Sequence, residues 1–521
     1  MKKLPIGIQA FDKLIEGGYI YVDKTEIIHR LVTTGATYFL SRPRRFGKSL
    51  LLNTLKSLFE GQQALFSGLW IENNWDWSKS NPVLHFSFDA IDYANMGLED
   101  ALLFELSKYA EQYQLELPTN SYKVQFKELI QQLHDRYGKV VLLIDEYDKP
   151  IIDYLEKHTI EQAKVNREVL RNFYSVIKGA DEHLQLVFIT GISKFAQVSI
   201  FSHLNNLHDI TLTSQYATLT GYTQQELEYY FDEHLQAVQN KLGVERQKIL
   251  DELREWYNGY SWDGVQRVYN PFGVLRFFAA QRFTNFWFST GSPRFLVEHM
   301  RKLEVFNIEN TPANNTTFER YDIENLDLTS ILFQAGYLTV KELDLWTGDM
   351  ILDYPNKEVR QSMYQFLIDD LAKDVHRTDT GLTIRNLKQA FTQGNLPQVR
   401  EILDGLLADL PNEVFDKKSE GLYHGLIHLV FSYLGMYAQS EVHSARGRAD
   451  AVVQTPSDVY IFEFKFNKSA AEAIAQIKQK GYADKFRNSG KKLTGIGVNF
   501  STEVRGIDEW VEEVVLVGKE A

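Results

Sequence analysis

The sequence predicts an α/β protein in three parts: a parallel sheet with helices, a mainly helical continuation, and a smaller α/β domain towards the C-terminus. Three observations predict it. A short apolar strand, Ala36–Ser41, runs through a basic loop into a helical pattern, Leu50–Phe59. A continuous apolar run, Lys139–Ile144, has the character of a strand buried on both faces of a parallel sheet. Further along, Val459–Phe466 alternates apolar and charged positions, the two-residue period of a β-strand.

The first observation carries chemistry. The loop reads Arg42-Pro-Arg-Arg-Phe-Gly-Lys48-Ser49. Strand, Gly-Lys-Ser loop and helix is the setting of a P-loop, in which backbone amides and a helix N-terminus cradle phosphates. Lys48 would reach the β- and γ-phosphates, and Ser49 would hold Mg²⁺. Arg45 and Gly47 complete the candidate phosphate-binding set. One departure stands out: Arg42 falls where the first glycine of the motif is expected. A plain basic helix cap is the competing reading of Gly-Lys-Ser alone.

The second observation supplies the other half. The run ends in Asp145-Glu146-Tyr147-Asp148, so Asp145 is expected at the Mg²⁺ water shell and Glu146 as the base for a hydrolytic water. Further strands are expected at Val83–Phe88 and Leu184–Thr190. Thr190 and Ser193 then lie at a carboxyl end, where open parallel sheets bind ligands and a γ-phosphate sensor belongs. An acidic pair capping a helix is the plain alternative; the P-loop about a hundred residues upstream favours a nucleoside-triphosphatase core.

In the third observation, period two puts Glu463 and Lys465 on one strand face. Arg446-Gly-Arg-Ala-Asp450 opens another strand-like run, with Asp450 thirteen residues before Glu463. If those strands adjoin, two carboxylates and an ammonium converge. Oxygen ligands of this kind suit Mg²⁺ or Mn²⁺. A metal there would polarise a phosphodiester and activate water, with Lys465 orienting or deprotonating it. A Glu-x-Lys pair is more often solvated charge, but this one sits among Ile461, Phe462, Phe464 and Phe466. A helix is expected over Ala470–Phe486, carrying Gln476, Lys478, Lys480 and Tyr482. From Lys465 to Lys492 there are eight basic and two acidic residues in a chain of net charge −13, a local patch suited to a phosphate backbone.

Between these sites, helices are expected over Gln224–Leu242, Lys248–Trp256, Pro271–Phe283, Pro293–Met300 and Tyr364–Leu410. Asn307–Thr317 reads as a loop or domain edge, Ser330–Val340 as a helix turning into a hairpin strand, and Gly421 as marking a break. The expected domains are 1–215, 216–410 and 411–521.

Bulk properties bound the answer. The chain has 521 residues with 44% hydrophobic and 13% aromatic content, values of globular protein, and is long enough for several domains. It has no cysteine, which excludes disulfides and thiolate metal sites and suits a reducing compartment. No secretory apolar core opens the sequence, and the most apolar stretch, Leu426–Ala438, is too short to span a bilayer. A cytoplasmic protein without membrane attachment is expected.

Taken together, these segments resemble a bacterial family that fuses an AAA-ATPase-like domain to a C-terminal PD-(D/E)XK nuclease domain. Tyr21-Val-Asp-Lys-Thr25, Arg42–Ser49 and Leu143–Asp148 are similar to its ATPase part. Trp256–Tyr260, Asn270-Pro-Phe272, Thr290-Gly291 and Gln334–Thr339 resemble its helical continuation, and Tyr354–Val359 its connector. Gly447–Asp450, Glu463–Lys465 and Gln476–Tyr482 resemble its nuclease core. The resemblance implies a P-loop NTPase sheet followed by a restriction-endonuclease-like domain, with ATP and Mg²⁺ as cofactors. It implies Asp450 and Glu463 as metal ligands, the Phe464 carbonyl as a third, Lys465 as catalytic lysine and Gln476 as support. Glu441 would be an additional helix carboxylate, while His443 reads as a surface residue. Nucleic acid, with DNA ahead of RNA, is the expected partner. In a homo-oligomer, Arg167 or Arg171 could serve as an arginine finger to a neighbour. The expected function is a nucleotide-gated, metal-dependent nuclease acting against foreign DNA; the alternative is a nucleotide-regulated scaffold whose nuclease-like domain only binds.

Overall fold

The apolar run at 36–41 forms β1 (Thr37–Ser41) of a five-stranded parallel sheet in the computed structural model. With it stand β2 (Val83–Ser87), β3 (Val140–Asp145), β4 (Leu184–Gly191) and the short β5 (His208–Asp209). Their order across the sheet is β2-β3-β4-β1-β5. The structure describes the chain outside residues 118–120, 156–158, 195–199, 202–203, 205, 288–293, 304, 320–326, 372–379, 409–419, 435–437, 445–446, 502, 505 and 517–521. Thr290-Gly291 and Arg446 therefore lie outside the described residues.

β3 explains why its sequence is apolar throughout. Every residue from Val140 to Asp145 is buried. Val140, Leu142 and Ile144 enter one core cluster, while Val141 and Leu143 enter the cluster on the opposite face. The helix Lys48–Phe59 starts directly after Gly47, whose φ of 84° suits glycine, and buries Leu51, Leu52, Leu55 and Leu58. This geometry sets the loop between β1 and the helix at the carboxyl edge of the sheet, beside the ends of β3 and β4.

Two compact units emerge. The first comprises Met1–Thr290 and Glu309–Val359; the second comprises Gly291–Ile308 and Arg360–Ala521. The stretch 216–410 is thus shared between the two. In the first unit the helix expected over Gln224–Leu242 is two helices, Gln224–Tyr230 and Asp232–Leu242. The break is at Phe231, which is fully buried and stacks on Phe278 with ring centroids 5.2 Å apart. The helix from Pro271 stops at Ala280, three residues early, because Gln281 turns left-handed at φ 50°. Helix Leu328–Gln334 feeds a three-stranded sheet of β6 (Thr311–Ala313), β7 (Thr339–Leu343) and β8 (Met350–Asp353), in the order β6-β8-β7.

The second unit holds a mixed sheet, β13-β12-β11-β10-β9. Its strands are β9 (Ala438–Ser444), β10 (Gly447–Gln454), β11 (Asp458–Phe466), β12 (Lys492–Ser501) and β13 (Gly506–Leu516). β11 and β12 are parallel, joined across the helix Ala470–Gln479, and the other pairs are antiparallel. That helix was expected to reach Phe486; it ends at Gln479 because Gly481 takes φ 61°. Gly421, expected at a break, lies in the first turn of the helix Glu420–Tyr433. No helix among the described residues is long and apolar enough to cross a membrane.

Candidate functional site

β11 is buried on both faces, and this places its charged residues. Val459 and Ile461 pack with Ile474 and Ile477 of the helix Ala470–Gln479. On the other face Phe462 and Phe464 meet Phe431 of the helix Glu420–Tyr433, at 4.9 and 5.7 Å between centroids. Glu463 and Lys465 continue the first face, so they emerge at the end of the helix-covered side rather than in open water.

There the structure brings five expected residues together. The Lys465 ammonium donates to Glu463 Oε1 at 2.8 Å and to Gln476 Oε1 at 2.7 Å. Gln476 Nε2 donates to the Tyr482 hydroxyl at 3.3 Å. β10 pairs antiparallel with β11 through Ala451↔Phe462, and Asp450 Oδ2 accepts the backbone N–H of Phe464 at 2.8 Å. Glu463 is 2% exposed and its Oε2 is buried with no hydrogen-bond partner among the described residues. Burial first, and Asp450 second, push its carboxyl up to about 7, against the opposing pull of Lys465. A buried, half-satisfied carboxylate beside a second carboxylate is a donor set that fits a hard divalent cation. Among the described residues no cluster reaches three His, Cys, Asp or Glu side chains. Glu441 and His443 lie on β9, not on a helix, and their side chains are outside the described set. A strand was missed there because the polar run Gln439–His443 carries little periodic signal.

The second constellation lies at the carboxyl edge of the parallel sheet. Lys48 is buried, and its ammonium donates to the carbonyls of Arg42 and Pro43 at 2.9 and 3.2 Å, so the loop curls around its own lysine. Burial lowers the Lys48 pKa, while Asp145 and Glu146 oppose that shift. Asp145 ends β3, and its Oδ1 accepts the Thr190 hydroxyl at 2.7 Å. Thr190 is thus held by Asp145, and Ser193 gives both its N–H and its hydroxyl to Asp148, at 2.7 and 2.5 Å. Glu146 adopts φ 53°, a conformation costly for a non-glycine residue, and burial raises its pKa. Arg44, Arg45, Gly47, Lys48, Ser49 and Glu146 border a cleft of about 350 Å³. Arg44 and Arg45 are exposed and give that cleft its cationic rim.

Arg42 accounts for the missing glycine. Its guanidinium turns inward, fully buried, and donates to the carbonyls of Ser41, Thr211 and Tyr216 at 2.9, 2.8 and 3.4 Å. It also lies over the Trp262 ring at 3.9 Å. The loop entrance is therefore anchored by side chain where a glycine would give only a tight turn. Sequence reasoning could not reach this, since the partners come from residues far along the chain. It also passed over Lys24, in the Tyr-Val-Asp-Lys-Thr segment, which borders the same cleft and pairs with Glu226 at 2.6 Å. Arg167 and Arg171 lie on the helix Ile160–Gly179, each beside Glu168 of the same helix.

Fold and site together define a protein with a P-loop-like α/β domain and a nuclease-like domain on one chain. The family described as predicted AAA-ATPase matches residues 5–201, and the PD-(D/E)XK nuclease superfamily matches residues 418–510. The chain is 37% identical over 529 residues to a protein of Azotobacter chroococcum mcd 1, described as an uncharacterized protein in the vnfD 5′ region. That likeness covers 98% of this chain and 99% of the other. The chain belongs to the family of that protein, and carries in order an AAA-ATPase-like domain and a PD-(D/E)XK nuclease-superfamily domain.

Proposed function

We propose that this protein is a metal-dependent nuclease whose cutting is gated by ATP at its P-loop. One observation carries the reading: Lys465 bridges Glu463 and Gln476 beside Asp450, with Glu463 Oε2 buried and lacking a hydrogen-bond partner among the described residues. Asp450 and Glu463 would hold Mg²⁺ or Mn²⁺, which supplies Lewis acidity at the scissile phosphate. Lys465 Nζ, fixed by two acceptors, orients the attacking water and takes part in moving its proton. Gln476 keeps the ammonium from collapsing wholly onto Glu463. The cationic stretch from Lys465 to Lys492 supports a nucleic-acid backbone as substrate, DNA in our reading, with foreign DNA as the target by fold-level analogy.

In the first unit, Lys48 would exchange the Arg42 and Pro43 carbonyls for the β- and γ-phosphates of ATP. Ser49 and Asp145 would hold its Mg²⁺, and Glu146 would accept a proton from the hydrolytic water. Such a site acts as a switch when one of two conformations binds ATP better. We read the protein as a cytoplasmic homo-oligomer; the absence of cysteine supports the compartment.

The test is incubation of the purified full chain with single- and double-stranded DNA and RNA, in Mg²⁺, Mn²⁺ or EDTA, with and without ATP. Cleavage of duplex DNA that requires metal and changes with ATP is expected. No cleavage in any lane would return the protein to the scaffold reading.

A further inference from the structure

The second residue of the P-loop, Pro43, faces a glycine three hundred residues away in sequence. Gly336 has φ 87°, and a Cβ built on it would lie 2.7 Å from Pro43 Cβ and 3.3 Å from Trp287 Cζ2. Both backbone and space therefore require glycine there, and the loop and this turn cannot move independently. Two residues earlier, Gln334 Oε1 accepts the backbone N–H of Lys194 at 3.0 Å. Lys194 follows Ser193, which is tied to Asp148 just beyond the Asp145-Glu146 pair. One three-residue turn thus touches the P-loop with its glycine and the segment that follows β4 with its glutamine.

The contacts continue outward within the first unit. Tyr337 meets Trp287 edge-on at 5.0 Å. The backbone N–H groups of Phe286 and Trp287 both donate to Glu358 Oε1, at 2.6 and 2.9 Å. Glu358 is 1% exposed and stands in the first turn of the helix Lys357–Leu371. The first unit ends at Val359, and that helix runs on into the second.

We infer that the turn Gln334–Gly336 reads the nucleotide state of the P-loop and passes it, through Trp287 and Glu358, to the helix Lys357–Leu371; this rests on the ATP-gated reading above. The contact that would differ between the two states is the one from Lys48 to Pro43. Lys48 Nζ donates to the carbonyl of Pro43, the residue that touches Gly336. Phosphate drawing Lys48 away releases the Pro43 peptide, and Gly336 and Trp287 must follow because no gap separates them. Gln334, Gly336 and Trp287 are positioning residues: none borders the cleft.

The test uses the full chain with Gly336→Ala and Gln334→Ala. Hydrogen exchange is followed over peptides spanning 330–345 and 357–371, with and without a non-hydrolysable ATP analogue and Mg²⁺. In the wild type both regions are expected to change protection on binding. Both variants are expected to bind the analogue, yet to lose the change over 357–371, and their ratio of cleavage with and without ATP is expected to fall to about one. Should Gly336→Ala fail to fold, Gln334→Ala and the wild-type exchange pattern still decide. An unchanged 357–371 region in the wild type, or variants that keep the wild-type ratio, overturns the inference and leaves gating standing. A wild type whose cleavage ignores ATP overturns gating and this inference together.

Discussion

Gln476 Oε1 accepts the Lys465 ammonium at 2.7 Å, from a helix that covers the strand bearing the lysine. Lys465 is therefore shared between a neutral acceptor and a carboxylate, and its direction is fixed from two sides. Gln476→Ala removes one side. Cleavage is expected to slow on the order of 10–100-fold, the usual effect of losing an outer partner of a metal-site residue. Nucleotide affinity is expected to stay unchanged. Steady-state cleavage rates beside ATP titrations check both; an unaltered rate would mean that Gln476 does not orient the lysine.

Arg42 is a buried cation with no carboxylate in hydrogen-bond contact among the described residues, held by three carbonyls and the face of Trp262. Arg42→Lys keeps the charge but cannot span those acceptors. Stability is expected to fall by about 2–3 kcal/mol, the scale of hydrogen bonds to a charged group. ATP affinity should fall with it, because the loop loses its anchor. Melting curves with and without ATP measure both effects.

Glu358 gives a pH signature. Burial raises its carboxyl from 4.5 to about 7, partly offset by the amides of Phe286 and Trp287. The folded state therefore holds the proton more tightly than the unfolded one, so stability is greatest below about 4.5 and falls as pH rises towards about 7. The loss is roughly 3 kcal/mol at 1.36 kcal/mol per pKa unit. Glu358→Gln keeps an oxygen for the two amides and cannot ionise. Its advantage over wild type in denaturant midpoint is expected to grow with pH across that window and then level; a constant difference would contradict the assignment.

Glu463 should show opposite effects in the presence and absence of metal. Without metal, a buried carboxylate with a bare Oε2 is a burden on the fold, and Glu463→Gln relieves it. In EDTA the variant is expected to melt above the wild type; in Mg²⁺ the wild type gains by binding and the order reverses. Calorimetric scans in the two buffers read this directly. A variant that melts lower in EDTA would show that the carboxylate stabilises the fold by itself.

Much of this was legible in the sequence, and for physical reasons. Lys139–Ile144 announced a strand buried on both faces because neither face could carry a polar residue. The Glu463–Lys465 pair was legible because period two left no other arrangement on a strand. What could not be read came from distant partners. Arg42 departs from the glycine of the motif, and the residues that hold it, Thr211, Tyr216 and Trp262, lie far along the chain. Helix ends moved where a single backbone angle decides, as at Gln281 and Gly481. Glu441 was expected on a helix and lies on β9, since a polar edge-like run leaves no apolar period to follow. The pairing of Gly336 with Pro43 had no sequence signal at all.

In our reading Asp450, Glu463 and Lys465 cleave nucleic acid. The most direct measurement compares wild type and Lys465→Ala in Mg²⁺-dependent cleavage of a labelled duplex, with ATP binding followed on the same preparations. Lys465→Ala is expected to cut on the order of 10²–10⁴-fold more slowly, the range for loss of a proton-transfer group, while binding ATP normally. Cleavage by Lys465→Ala at the wild-type rate would contradict it.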